Sequence, residues 1–80
     1  MKEKTIIDLV ERGEKLCIGV RYNQNNEEYT VYLATESHEF IEDINIWSGG
    51  RLKVFADPRR ILSWAKNLGM KSVFFEDINF

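Results

Sequence analysis

The sequence predicts a small α+β domain over residues 1–80: a mostly antiparallel sheet of four to five strands with two helices, in the order α-β-β-β-β-α-β. Three observations carry this expectation. Apolar residues alternate with polar or small ones through 16–22 and again through 29–34, the period-two signature of paired strands. Asp57-Pro58 opens a stretch whose apolar residues recur at helical spacing. A chain of this length has room for one core and buries about 60% of the surface its unfolded form exposes. Helices gathered on one face of an antiparallel sheet are the natural way to build that core.

The elements follow in order. Thr5-Ile6-Ile7-Asp8 reads as a capping box, with Thr5 as the cap and Asp8 three residues on. Ile6, Leu9 and Val10 then recur at helical spacing, and Gly13 is suited to a left-handed stop. A helix of about two turns over 6–12 is predicted, and it needs packing to persist. Leu16, Ile18, Val20 and Tyr22 then alternate with Cys17, Gly19 and Arg21. Beyond Asn23-Gln24-Asn25-Asn26, residues Tyr29, Val31 and Leu33 alternate with Thr30, Tyr32 and Ala34. Taking those four residues as the turn sets Val20 against Tyr29, Ile18 against Val31, Leu16 against Leu33 and Arg21 against Glu28. A one-residue slip would turn every side chain to the wrong face. On the other face, Tyr32, Thr30 and Ala34 lie opposite Cys17 and Gly19, a flat, small-residued surface that either receives a helix or offers a partner a docking surface, the helix being the favoured expectation.

Residues 36–43 satisfy two patterns. Phe40, Ile41, Ile44 and Trp47 fit one face of a helix, whereas Ile44, Ile46 and Trp47 fit a strand. Ser48-Gly49-Gly50-Arg51 reads as a tight hairpin turn, which places strands at about 43–48 and 51–56. Residues 37–41 are left as a strand start, a helical turn or a loop. Asp57 caps the second helix and Pro58 fits its first position. Ile61, Leu62, Ala65 and Leu68 form its apolar stripe, Trp64 lies on the flank and Gly69 closes it. Residues 72–76 read as the last strand.

Composition narrows the function classes. Cys17 is the single cysteine, so no internal disulfide forms and a reducing compartment is expected. No stretch approaches the ~20 apolar residues of a membrane span, and Met1-Lys2-Glu3-Lys4 leads into no signal-peptide core. The chain is expected in the cytoplasm. Its net charge of −2 is uneven: residues 1–48 hold 5 Lys/Arg and 10 Asp/Glu, residues 49–80 hold 6 and 3. Overall acidity weighs against unassisted duplex binding, where phosphate neutralisation dominates affinity.

No constellation for catalysis is present in the sequence. His38 lies among Glu36, Glu39, Glu42 and Asp43, donors that suit several divalent ions, but the spacing is not that of a metal site. Cys17 and His38 are the one conceivable Cys–His pair, and Cys17 sits mid-strand, away from any helix N-terminus that would lower its pKa. There is no P-loop and no dinucleotide fingerprint. The expectation is therefore a non-enzyme with no metal or other cofactor.

Two charged sets remain. Arg51, Lys53, Arg59, Arg60 and Lys66, with Lys71, could face phosphate; Arg59, Ser63 and Lys66 share a helix face by i+4 and i+3 spacing. Base stacking would need exposed aromatics among them, and Trp64 is the candidate. The plain alternative is a solvated helix face. Glu36, Glu39, Glu42 and Asp43, interleaved with Phe40 and Ile41, could imitate nucleic-acid phosphates or dock on a basic groove. Tyr22, Tyr29 and Tyr32 are residues of an interface type, with Tyr32 the expected anchor beside the acids. A second copy of the chain is a further candidate partner, through an unpaired edge strand.

The run Gly50-Arg51-Leu52-Lys53-Val54-Phe55, then Asp57-Pro58 opening a helix, Leu68-Gly69 closing it, and Ser72-Val73, resembles the strand-helix-strand of small accessory proteins of plasmids and phages. It covers about a third of the chain. The short length, acidic front and lack of active-site residues are similar in style to anti-CRISPR proteins, which bind Cas effectors and block DNA recognition or cleavage. That resemblance implies a phage or mobile-element inhibitor, acting in a bacterial host cell on a nucleoprotein defence complex. The bare basic set implies instead a small nucleic-acid-binding or plasmid-maintenance regulator.

Overall fold

In the computed structural model, residues 1–45 and 51–76 are described. The chain runs α1 (Glu3–Glu11), β1 (Leu16–Asn23), β2 (Glu28–Thr35), β3 (Phe40–Asp43), β4 (Val54–Phe55), α2 (Pro58–Asn67) and β5 (Val73–Phe75), the expected α-β-β-β-β-α-β order. The strands form one mixed sheet in the order β3-β2-β1-β5, with β4 also paired to β2.

α1 starts earlier than the capping pattern predicts. Lys2 is its N-cap and makes no side-chain cap bond. The first turn is closed by the backbone instead, because the Lys2 carbonyl accepts from both the Thr5 and Ile6 amides at 3.1 and 3.3 Å. Thr5 is thereby drawn inside the helix. Gly13 ends it at φ +87°, as expected of a glycine stop.

β1 and β2 pair antiparallel, and the register differs from the expected one by two residues: Val20 faces Val31, Ile18 faces Leu33, and Arg21 faces Thr30 rather than Glu28. The cause is local. Asn23 accepts a hydrogen bond from the Asn25 amide at 3.1 Å and stays in the strand, paired with Glu28. The turn moves on by one residue, with Glu27 supplying the left-handed position at φ +52°. An even shift preserves the faces, so Ile18, Val20, Val31 and Leu33 still share one side.

The ambiguous segment resolves into a turn and then a strand. The Thr35 carbonyl accepts from the His38 amide at 2.9 Å, and the Thr35 hydroxyl accepts from the Glu39 amide at 3.1 Å. β3 then pairs with Tyr32, Leu33 and Ala34, with a bulge between Leu33 and Ala34. β4, shorter than expected, pairs with Tyr29 and Thr30, so two short strands divide one edge of β2. The expected strand over 43–48 and the Gly49-Gly50 hairpin turn fall mostly on residues 46–50, outside the described residues; at their flanks Asn45 and Leu52 form an antiparallel bridge.

α2 follows its sequence signals. The Asp57 carboxylate accepts from the Arg59 amide at 2.9 Å and Pro58 takes the first turn. Ile61, Ala65 and Leu68 are buried, but Leu62, expected in the same stripe, is 52% exposed. Both helices pack on one side of the sheet, where Ile6, Ile61, Ala65 and Leu68 meet Ile18, Val20, Val31 and Leu33. β5 pairs parallel with β1, which makes β1 central. Among the described residues, no helix is long and apolar enough to cross a membrane.

Candidate functional site

The helices leave the other side of the sheet without a helical cover among the described residues. The small-residued face expected to receive a helix receives none. Its buried centre, Cys17, Tyr32 and Ala34, is packed by Phe74. The residues explain why. Gly19 faces Tyr32 across β1 and β2, and a Cβ at Gly19 would lie 2.2 Å from the Tyr32 Cζ. The tyrosine ring therefore lies down over the glycine, in the space an added layer would otherwise fill. Phe74, beside Gly19 on β5, meets that ring edge-on with centroids 5.9 Å apart. His38, swung over from the β2–β3 turn at φ +69°, stacks on Phe74 at 3.9 Å and 9°.

A polar network lies over these rings. The Tyr32 hydroxyl donates to Glu76 Oε1 at 2.6 Å. The Arg21 guanidinium sits 4.4 Å from the Tyr32 ring centroid and 5.1 Å from that of Phe40, a cation over two aromatic faces. It also reaches Asp43 and Glu76, each at 3.4 Å. Burial, reinforced by the Glu76 carboxylate, pushes the Tyr32 hydroxyl up to about 12, against the opposing pull of Arg21. Phe40 remains 51% exposed and its neighbour Ile41 42%.

The four acids are not brought together. Glu36 and Glu39 are exposed on the β2–β3 turn. Along β3, Asp43 lies opposite Tyr32 and Glu42 opposite Leu33, so the two point to opposite faces. Asp43 joins Arg21 on the helix-free face, while Glu42 pairs with the Met1 amine at 3.0 Å. Tyr32, expected as an anchor, is only 2% exposed and braces the face from within. The surface it supports is Phe40, Arg21, Asp43 and Glu76. Arg21, Phe74 and Glu76 were not singled out from the sequence. Their shared face follows from the β1–β5 pairing, for which the chain carries no local signal.

The basic residues are dispersed and partly neutralised. Arg59 forks onto Asp57 with contacts of 2.9 to 3.2 Å. That pairing holds the Asp57 carboxyl below its ordinary value and raises Arg59. Lys53 lies 3.6 Å from Glu3 and beside the Phe55 and Trp64 rings. The Trp64 indole donates to Glu3 and its ring packs on Phe55, so it is not free to stack on a base. Arg51, Arg60 and Lys66 are exposed.

Cys17 is buried and its thiol donates to the Thr35 carbonyl at 2.9 Å. Burial pushes its pKa up, reinforced by the Glu36 charge and opposed by a hydrogen bond with Ser72, so the thiol is held away from its nucleophilic form. Among the described residues, no group of three or more His, Cys, Asp and Glu is disposed to hold a metal ion. No family model matches the chain, and no curated protein and no solved structure matches it.

Proposed function

We propose that this chain is a non-enzymatic protein-binding module whose contact surface is the helix-free sheet face together with the acidic β2–β3 turn. The observation that carries the reading is the half-exposed Phe40 beneath the Arg21 guanidinium, which also reaches Asp43 and Glu76, with the exposed Ile41 next to it in the chain and the exposed Glu36 and Glu39 on the preceding turn. An apolar centre with a charged rim is the usual anatomy of a contact patch. Acids on that rim favour a basic partner and speed the encounter. The partner class is a host nucleoprotein defence complex, a Cas-type effector foremost. The chain would cover a groove that otherwise holds nucleic acid, acting as a mobile-element inhibitor in the bacterial cytoplasm. The regulator reading, in which the chain itself binds DNA or RNA, is weakened by the pairing of Arg59 with Asp57 and of Lys53 with Glu3.

The test is competition. Adding the chain to a purified Cas effector is expected to reduce its binding to target DNA. The double variant Glu36→Lys, Glu39→Lys is expected to lose that effect while keeping the thermal stability of the parent. These two acids make no ion pair among the described residues, whereas reversal of Glu42 or Asp43 would also break contacts with Met1 or Arg21. Equal competition by parent and variant would sink the reading. Direct, steeply salt-dependent binding of the chain to nucleic acid, lost in Arg60→Glu, Lys66→Glu, would replace it with the regulator reading.

A further inference from the structure

On the opposite side of the molecule, the edge of the sheet and the second helix enclose a groove of about 430 Å³. Leu62, Ala65, Met70 and Val73 give it apolar walls, Lys66 and Lys71 flank it, and no acidic residue lines it. Leu62 is 52% exposed there, a large apolar side chain left in water on a helix whose Ile61 and Ala65 are buried and whose Trp64 is half-buried. Neither lysine makes an ion pair among the described residues.

Among the described residues, the strand beside the groove has an open side: β5 pairs with β1 alone, in the parallel register Ile18–Val73, Gly19–Phe74, Val20–Phe75. The Ser72 carbonyl accepts from Ile18 and the Glu76 amide donates to Val20, so residues of that parity turn their backbone groups inward. Val73 and Phe75, of the other parity, turn their amides and carbonyls outward. An edge with outward donors and acceptors, next to a groove for alternate side chains, is what strand addition requires.

We propose that this groove takes an extended acidic peptide segment of a partner protein, added as a further strand along the outer side of β5. The backbone of Val73 and Phe75 supplies the pairing. The apolar walls receive one side chain of the peptide, and Lys66 and Lys71 select carboxylates flanking it. This surface is separate from the helix-free face, so one chain would engage two partners, or two parts of one, at once.

The probe is a displayed library of random peptides of about six residues, the usual strand length, selected on the full chain. The expected result is enrichment of sequences that place Asp or Glu beside an aliphatic residue. Amide NMR shifts on titration with a selected peptide should cluster at Leu62, Lys66 and residues 71–75. The exposed double variant Lys66→Glu, Lys71→Glu should weaken that peptide by about tenfold, the scale of two exposed charge pairs reversed. N-methylation of the peptide at the alternate amides facing β5 should abolish binding, while methylation at the intervening amides should not. Selection without acidic enrichment, or indifference to both sets of N-methyl groups, would overturn the proposal. Dimerisation of the chain itself, mapped by the same shifts to β5, would overturn it in favour of a second copy as the occupant.

Discussion

The two faces of the sheet use the same two central strands, β1 and β2, to opposite ends. On the helical side, Ile18, Val20, Val31 and Leu33 are fully buried aliphatics that meet Ile6, Ile61 and Ala65, with no polar atom to satisfy. On the other side, the sheet positions between them are small or polar, and the face is closed by its own long side chains: Tyr32 over Gly19, Phe74 against Tyr32, His38 on Phe74, Arg21 over Tyr32 and Phe40. The first face draws its strength from apolar area removed from water. The second depends on rings, one hydroxyl bond and an exposed ion network, and such exposed pairs contribute little individually. One face therefore holds the fold; on the other, the half-exposed Arg21, Phe40, Asp43 and Glu76 are free to vary at small cost in stability, while the buried seat of Tyr32 on Gly19 is not.

Breaking the helical face should have the largest effect. Leu33→Ala opens a cavity where no side chain can collapse easily, at a cost of about 2 to 5 kcal/mol. That is a large share of the ~5 to 15 kcal/mol that hold a small domain together. Urea unfolding followed by circular dichroism measures it, and a loss no greater than that of a surface substitution would contradict the division of labour between the faces.

The middle effect belongs to Gly19→Ala. The added methyl meets the Tyr32 ring at a distance no Cβ tolerates, so the ring must lift and its bond to Glu76 must lengthen or break. Overpacking of this kind costs about 1 to 3 kcal/mol. The same variant should loosen the surface around Phe40, visible as line broadening at Phe40 and Phe74 in NMR spectra.

The smallest effect is that of Tyr32→Phe, which removes the hydroxyl and leaves the ring, at a cost of about 1 kcal/mol at neutral pH. Its signature lies at high pH. The folded chain holds the Tyr32 proton up to about 12, whereas an unfolded tyrosine releases it near 10. The folded state thus binds that proton more tightly. The stabilisation is complete below pH about 10 and is lost as pH rises from there to about 12. Tyr32→Phe should flatten this alkaline limb of the stability profile. A limb of unchanged slope would show that the hydroxyl is not held as described.

The sequence made the faces legible and left the register open, for one physical reason. Alternation fixes which residues share a side, but a two-residue shift leaves every side unchanged. Here a single bond from the Asn25 amide to Asn23 decides where the turn sits. α2 was readable because Asp57 and Pro58 act locally. The start of α1 was not, because Lys2 closes the first turn with its backbone carbonyl and leaves no side-chain mark. The acids at 36, 39, 42 and 43 were visible as a cluster in one dimension. Their division between two faces depends on the pairing of Tyr32 with Asp43 and Leu33 with Glu42, which the bulge beside Ala34 adjusts. The helix-free face was misjudged because small residues at Cys17, Gly19 and Ala34 look like a seat for a helix. They are a seat for a tyrosine and a phenylalanine instead.

The parallel contact between β1 and β5 also sets a timetable for folding. The β1–β2 hairpin joins neighbours in the chain and is ready to form on the microsecond scale of isolated hairpins. The far side of β1 must wait for a segment so distant that Arg21 and Glu76, which meet across it, are 55 residues apart. Until that segment docks, a central strand of the sheet, with four consecutive buried residues from Cys17 to Val20, is zipped along one side only. A chain stalled during synthesis, or clipped in the connection before β5, would carry that unzipped side into the cell, where bare strand edges seed aggregation. The last strand to join is thus the one that makes the intermediate safe.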